Sequence, residues 1–172
     1  MEIIVNFNIR LEKKSDIQSI HAITEAAFLD APHTDHTEHF IVDSLRESGE
    51  LTISLIAEDS NKIVGHVALS PVTISDGSSG WYGLGPISVT PNQQGKGIGS
   101  ELMYAAIAEL KKLNANGCVL LGDPNYYTRF GFESINDLIL PDVPPEYFQV
   151  ISLQNERPTG TVKYHESFLA KE

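Results

Sequence analysis

With 172 residues, 41% hydrophobic and 20% charged, the chain is long enough for one domain with a real core and too apolar to be disordered. No apolar run approaches the length of a membrane span. A formal net charge of -11 argues against a surface that binds phosphate backbones, so neutral or cationic partners are expected, with no nucleic acid and no membrane.

Ile9 to Leu11 begins a first strand. Ser15-Asp16-Ile17-Gln18 has the spacing of a capping box, and Ile17, Ile20, Thr24, Ala27 and Phe28 then recur at helical spacing up to Ala31-Pro32. A second helix is predicted over about Thr37 to Glu47, with Phe40, Ile41 and Leu45 inward and Gly49 as its stop. Leu51, Ile53, Leu55 and Ala57 alternate as a strand, Asp59-Ser60-Asn61 turns, and Lys62 to Ile74 returns as a second strand. After a loop over 75–80, Trp81 to Val89 is a third strand interrupted by Gly83, Gly85 and Pro86, which suggests a bulge or a close backbone approach.

The next helix begins near Ser100 and aligns Ile98, Leu102, Ala106, Leu110 and Leu113 on one face, with Lys111 and Lys112 at its C-terminal end. Asn116-Gly117 stops it, and Cys118 to Leu121 is a short buried strand of the parallel type. Asp123 caps a short helix with Pro124 at its first position and Gly131 at its end. The rest is strands and loops, with loop over 141–145 and a last strand at Gly160 to Tyr164.

Between the third strand and its helix lies Gln94-Gly95-Lys96-Gly97-Ile98-Gly99. Alternating glycines let a backbone approach a ligand closely, and the following helix N-terminus adds unpaired N–H donors and partial positive charge. That combination is an anion site, most often for phosphate, and Lys96 can add a full charge. A Walker A loop needs a different spacing before its Gly-Lys pair. A dinucleotide fingerprint needs G-x-G-x-x-G directly after the strand and an acidic residue about twenty positions on; neither is present.

The strand end Ile87-Ser88-Val89-Thr90-Pro91, followed by Gln94 to Gly99 and a helix, resembles the acetyl-CoA motif of the GNAT superfamily of N-acetyltransferases. A second match follows: Gly122-Asp123-Pro124-Asn125-Tyr126-Tyr127-Thr128-Arg129-Phe130-Gly131-Phe132 is similar to the Tyr-x-x-x-Gly-Phe segment of that superfamily, in the form of a bacterial YhbS-like subgroup. The resemblance is specific from Leu84 to Phe132 and loose elsewhere. It implies an α+β GNAT fold, a mixed central sheet with helices on both faces, as a single domain over residues 1–172. It also implies acetyl-CoA as co-substrate and direct attack of an amine on the thioester. The pyrophosphate would sit on Gln94, Gly95, Lys96, Gly97, Ile98, Gly99 and Ser100. The pantetheine arm would lie along Ile87, Ser88 and Val89 like an extra strand.

Tyr127 stands four residues before Gly131, where this family places its general acid. A phenol there can protonate the departing thiolate; its alternative is a packing aromatic. Tyr126 points about 100° away around the helix, so the two cannot share one role. For a general base the sequence offers Glu25, Glu38, His66 and Asp123, or a water chain. Asp123 also reads as a helix cap, His66 as a core histidine, and Glu38 as a favourable charge at a helix N-terminus. His33, His36 and His39 are spaced by three, but only His36 and His39 would share a helical face, so no metal is expected.

Cys118 is the only cysteine and sits in an apolar run, so it reads as core and no internal disulfide can form. With no basic start or apolar centre over Met1 to Arg10, the expected location is cytoplasmic. The acceptor is an amine whose identity is not readable, and a homodimer is open. Two rivals remain: a binding module of the same fold that has lost turnover, and a nucleotide-phosphate binder.

Overall fold

The computed structural model describes residues 7–32 and 34–172. Its elements follow the predicted order: β1 (Asn8–Leu11), α1 (Ile17–Phe28), α2 (Glu38–Glu47), β2 (Ile53–Asp59), β3 (Lys62–Ile74), β4 (Trp81–Val89), α3 (Ile98–Lys112), β5 (Gly117–Leu121), α4 (Pro124–Tyr127), β6 (Leu138–Ile139), β7 (Phe148–Ser152) and β8 (Gly160–Tyr164). The main sheet runs β1-β2-β3-β4-β5-β7, with β8 pairing the far end of β3 and β6 pairing β8.

Side-chain alternation along β2 and β3 sorts the helices onto two faces. Leu55, Ala57, Val67 and Leu69 point to one side, against Ile98, Leu102, Ala106 and Leu110 of α3. Ile56 and Ala68 point to the other, against Ile20 of α1 and Val42 of α2. The mixed sheet between two helical layers is therefore dictated by a strand period of two set against helical stripes.

Two features of β4 shape the site. Opposite β3, Val67 pairs Ile87 and Leu69 pairs Leu84, so the single residue Ala68 faces both Gly85 and Pro86. This is the bulge anticipated from the glycine and proline interruptions. On its other side, β4 is parallel to β5 only over Trp81–Gly117, Tyr82–Cys118 and Gly83–Val119. Beyond Gly83 the two strands part, which leaves the outer edge of residues 84–89 with no strand partner among the described residues.

Several local expectations need correction. The first helix is not entered through a Ser15 cap: the Asp16 carboxylate accepts from the Lys13 N–H at 2.6 Å and pairs with Arg10 at 2.8 Å. That ion pair fixes the chain earlier than a hydroxyl cap would. Leu113 is 49% exposed, because it lies past the last turn of α3, at its C-cap, where the chain leaves the sheet. In α2, His39 and Val42 are buried beside Ile41 and Leu45, whereas Phe40 is only half-buried. Leu121 is 47% exposed: it still pairs Phe148 of β7, but β5 has already parted from β4 after Val119.

Candidate active site

The loop after β4 is built by its backbone. Pro91–Gln93 makes one tight turn, and Gly95 and Gly97 then adopt φ of +78° and +86°, which L side chains avoid. Gly97 becomes the N-cap of α3 without any side-chain cap, so the first N–H groups of the helix face outward unpaired. A Cβ added at Gly95 or Gly97 would meet no protein atom within 4 Å, so the space in front of both is open.

A groove runs across this loop, bounded by Val89, Gln94, Gly95, Gly97, Gly99 and Ser100 on one side and by Tyr126 and Arg129 on the other. The Gln94 amide donates to the Val89 carbonyl at 3.1 Å and ties the loop to the strand end. Lys96 is exposed, with Nζ 3.3 Å from Gln93 Oε1. Ile98 is 2% exposed, so its side chain belongs to the core and only its backbone is available. Ile87 and Val89 pack partly against the α3 layer, and the Ser88 side chain is buried with its hydroxyl unpartnered. Their accessible feature is the free backbone edge.

Arg129 was not singled out by sequence reasoning. Its guanidinium lies 4.5 Å from the Tyr126 ring centre, and its Nε donates to the Tyr126 carbonyl at 2.9 Å. That clamp holds a cation at the groove, opposite the helix N-terminus. In the sequence the only sign of it is the Arg129-Phe130-Gly131-Phe132 run, where the arginine reads as spacing between aromatics.

The two tyrosines divide as helix geometry requires. The Tyr126 hydroxyl is 3.1 Å from Ser100 Oγ, at the loop end of the groove. Tyr127 turns the other way and lies flat over Gly122, where a Cβ would collide with its ring. Gly122 directly follows Leu121, which lines the pocket described next. Burial, with smaller contributions from Tyr126 and Asp123, pushes the Tyr127 phenol up to about 12, so it keeps its proton at neutral pH.

On the opposite side of the Gly85-Pro86 bulge lies an apolar pocket between α1, α2 and the sheet. Phe28, Ile41, Leu84, Leu121 and Phe168 form its walls. Glu38 enters it from the first turn of α2, and its Oε2 is buried with no hydrogen-bond partner among the described residues. An unpaired carboxylate oxygen in apolar surroundings carries a desolvation cost that a cationic or N–H-bearing occupant would relieve.

The other base candidates fall elsewhere. Asp123 accepts from the Asn125 N–H at 2.9 Å and is a helix cap. His66 is fully buried, with Nε2 2.8 Å from Ser54 Oγ. The Ser54 hydroxyl donates to Glu12 Oε1 at 2.6 Å, so Oγ accepts and His66 Nε2 carries the proton. Burial, opposed by Glu12 and reinforced by Arg46, brings the imidazole down to about 4. A base this weak stays neutral at pH 7. Glu25 lies on the outer face of α1, beside His21 and His39. His36 is tied to the Phe28 carbonyl at 2.9 Å rather than to His39, and His33 lies outside the described residues. Cys118 is fully buried, and burial raises its thiol far above the ordinary range, which fits a core residue.

The model of the acetyltransferase (GNAT) family matches residues 17–132. The chain belongs to the GNAT acetyltransferase family. Its relatives include the uncharacterised N-acetyltransferase YhbS of Escherichia coli strain K12, 35% identical over 167 residues, which cover 93% of this chain and 97% of YhbS. Among solved structures, a GNAT family acetyltransferase from Brucella melitensis in complex with acetyl-CoA is 43% identical, with a TM-score of 0.85 over 95% of this chain and 99% of that one. YhbS from Escherichia coli in complex with CoA is 34% identical, with a TM-score of 0.86 over 98% and 95%. The GNAT chain thus shares both the fold and the YhbS-like likeness expected from its Leu84 to Phe132 segment. No helix among its described residues is long and apolar enough to cross a membrane.

Proposed function

We propose that residues 1–172 act as one cytoplasmic domain that transfers an acetyl group from acetyl-CoA to a primary amine of a small molecule or peptide. The observation that carries this reading is the buried, unpaired Glu38 oxygen in an apolar pocket, placed across the β4 bulge from the open glycine loop. One side of the strand suits an anion, the other an amine, and the free edge of β4 lies between them.

In this reading the N–H groups of the Gln94–Gly99 loop and the first turn of α3 hold the pyrophosphate, with Arg129 facing them as counter-charge. The backbone of Ile87, Ser88 and Val89 hydrogen-bonds the pantetheine arm. Glu38 holds the acceptor nitrogen, which reaches the thioester as a neutral amine after losing a proton to Glu38 or to water. Its lone pair forms the new N–C bond, the C–S bond breaks, and Tyr127 gives its proton to the departing sulfur; the nitrogen's surplus proton leaves through water, which restores the Tyr127 phenol. The thioester supplies the activated acyl group, and no step needs a metal. The chemistry requires neither nucleic acid nor a membrane, and a homodimer is compatible with it.

A panel of primary amines incubated with acetyl-CoA, read by free thiol release and by the mass of the acetylated product, tests the proposal. Turnover with at least one amine is expected, with a raised acceptor KM in Glu38→Gln. Acetyl-CoA binding without turnover on any amine would instead favour a binding module of the same fold. Stabilisation by ATP but not by acetyl-CoA in thermal melts would overturn the reading altogether.

A further inference from the structure

The outer side of the α1–α2 pair carries a second cluster of side chains that the transfer reaction does not use. His21 and Glu25 stand one helical turn apart on α1, and His39 projects from the first turn of α2. Glu25 Oε2 lies 3.5 Å from His39 Nε2 and 3.8 Å from His21 Nε2. One ligand atom from each of the three residues lies within 4.8 Å of the other two. Both imidazoles therefore turn the same nitrogen toward a single carboxylate oxygen.

What stands behind His21 decides how this is read. Asp43 Oδ2 is 2.6 Å from His21 Nδ1, so Nδ1–H donates to the carboxylate and the Nε2 lone pair is left facing Glu25 and His39. Asp43 is itself steadied by Arg46 at 3.4 Å. A carboxylate behind a histidine, fixing its tautomer and its direction, is the usual support of a metal-bound imidazole. His39 is held just as firmly: its side chain is only 8% exposed, and its ring packs 4.0 Å from that of Phe40. Two surface ion pairs would need neither the buried second imidazole nor the orienting carboxylate.

We propose that His21 Nε2, Glu25 Oε2 and His39 Nε2 bind one divalent ion of the zinc class, clasping α1 to α2. Two imidazoles and a carboxylate form a donor set suited to such ions. Tetrahedral ligands at about 2.0–2.1 Å from zinc stand roughly 3.3 Å from one another. The Glu25 separations of 3.5 and 3.8 Å are already near that value. The two Nε2 atoms lie within 4.8 Å of one another, and the half-exposed His21 ring closes that gap by pivoting about its Asp43 bond as the ion binds. The open side leaves a fourth position for water. The clasp lies away from the glycine loop, on the helices that carry Phe28, Glu38 and Ile41; its bearing on the acceptor pocket rests on the transfer reading above, but ion binding does not.

The test uses full-length protein made without a histidine tag and stripped with chelator. Zinc is titrated against a chromophoric competitor, and thermal melts are recorded with and without it. One zinc per chain and a raised melting temperature are expected. Asp43→Asn should weaken binding by about 10–100-fold, since it removes the orienting carboxylate and leaves all three ligands in place. His21→Ala with Glu25→Gln should abolish it while leaving buried His39 and the fold in place, as checked by an unchanged acetyl-CoA melt shift. His36→Ala, a histidine bonded elsewhere, should bind zinc normally. Absence of a stoichiometric site in the wild type, or undiminished binding in the folded double variant, would overturn the proposal.

Discussion

His66 offers a stability measurement whose size and sign follow from its surroundings. The ring is fully buried, donates through Nε2 to Ser54, and has no partner for Nδ1. Its folded value of about 4 lies below the ordinary 6.5. Between those two values the unfolded chain holds a proton that the folded chain does not. The contribution is therefore complete above pH 6.5 and is lost as pH falls toward 4. That gap, at about 1.4 kcal/mol for each tenfold change in proton affinity, amounts to roughly 3–4 kcal/mol. Linkage spreads this unevenly: about 1 kcal/mol disappears between pH 7.5 and 5.5, and about as much again by pH 4.5. Against a total stability of roughly 5–15 kcal/mol, that is a readable loss. Glu12 acts in the same direction: burial raises its carboxyl, but hydrogen bonds from Arg46 and Ser54 overcome this and lower it, so its contribution also fades in acid. Urea unfolding at a series of pH values, for wild type and His66→Gln, isolates the histidine. The variant should be less stable at pH 7.5 yet show a shallower decline from pH 6.5 to 4.5. Parallel declines in the two proteins would refute the buried, neutral imidazole.

Other perturbations address the site. Tyr127→Phe removes one proton and keeps the ring, so turnover should fall by about 10²–10⁴-fold where chemistry limits the rate, with acetyl-CoA affinity little changed. Tyr126→Phe loses only the contact to Ser100 and should be mild; stopped-flow or steady-state thiol release distinguishes the two. Gly97→Val puts a branched side chain at φ +86° into open space, costing about 1–2 kcal/mol of stability, and should strongly weaken acetyl-CoA binding in calorimetry. Unchanged affinity in the folded variant would place the pyrophosphate elsewhere. Glu38→Gln should raise the acceptor KM with acetyl-CoA binding intact, and an unaltered KM would remove Glu38 from the pocket's chemistry.

The parts of the site that were legible in the sequence are those where one short segment does the whole job. Alternating glycines between a strand and a helix need no distant residue to form an open loop at an uncapped helix N-terminus, and the divergence of Tyr126 from Tyr127 follows from helical geometry alone. The bulge at Gly85-Pro86 was legible for the same reason. What could not be read lies across elements. Glu38 reads as a charge at a helix N-terminus; its meaning depends on Phe28, Leu84 and Leu121 surrounding it from three other elements. The histidine spacing along 33–39 drew attention down the chain, whereas His39 finds its neighbours on α1. The Glu12–Ser54–His66 chain joins an early loop to two strands, and no local pattern announces it.

The central claim is acetyl transfer to an amine nitrogen. Acetyl-CoA labelled in its acyl group, incubated with the enzyme and the best amine of the panel, tests it most directly when the product is resolved by mass spectrometry alongside released thiol. The account predicts one labelled acetyl group on the amine for each thiol released. Thiol released with free labelled acetate as the only product, or no release with any amine, would contradict it.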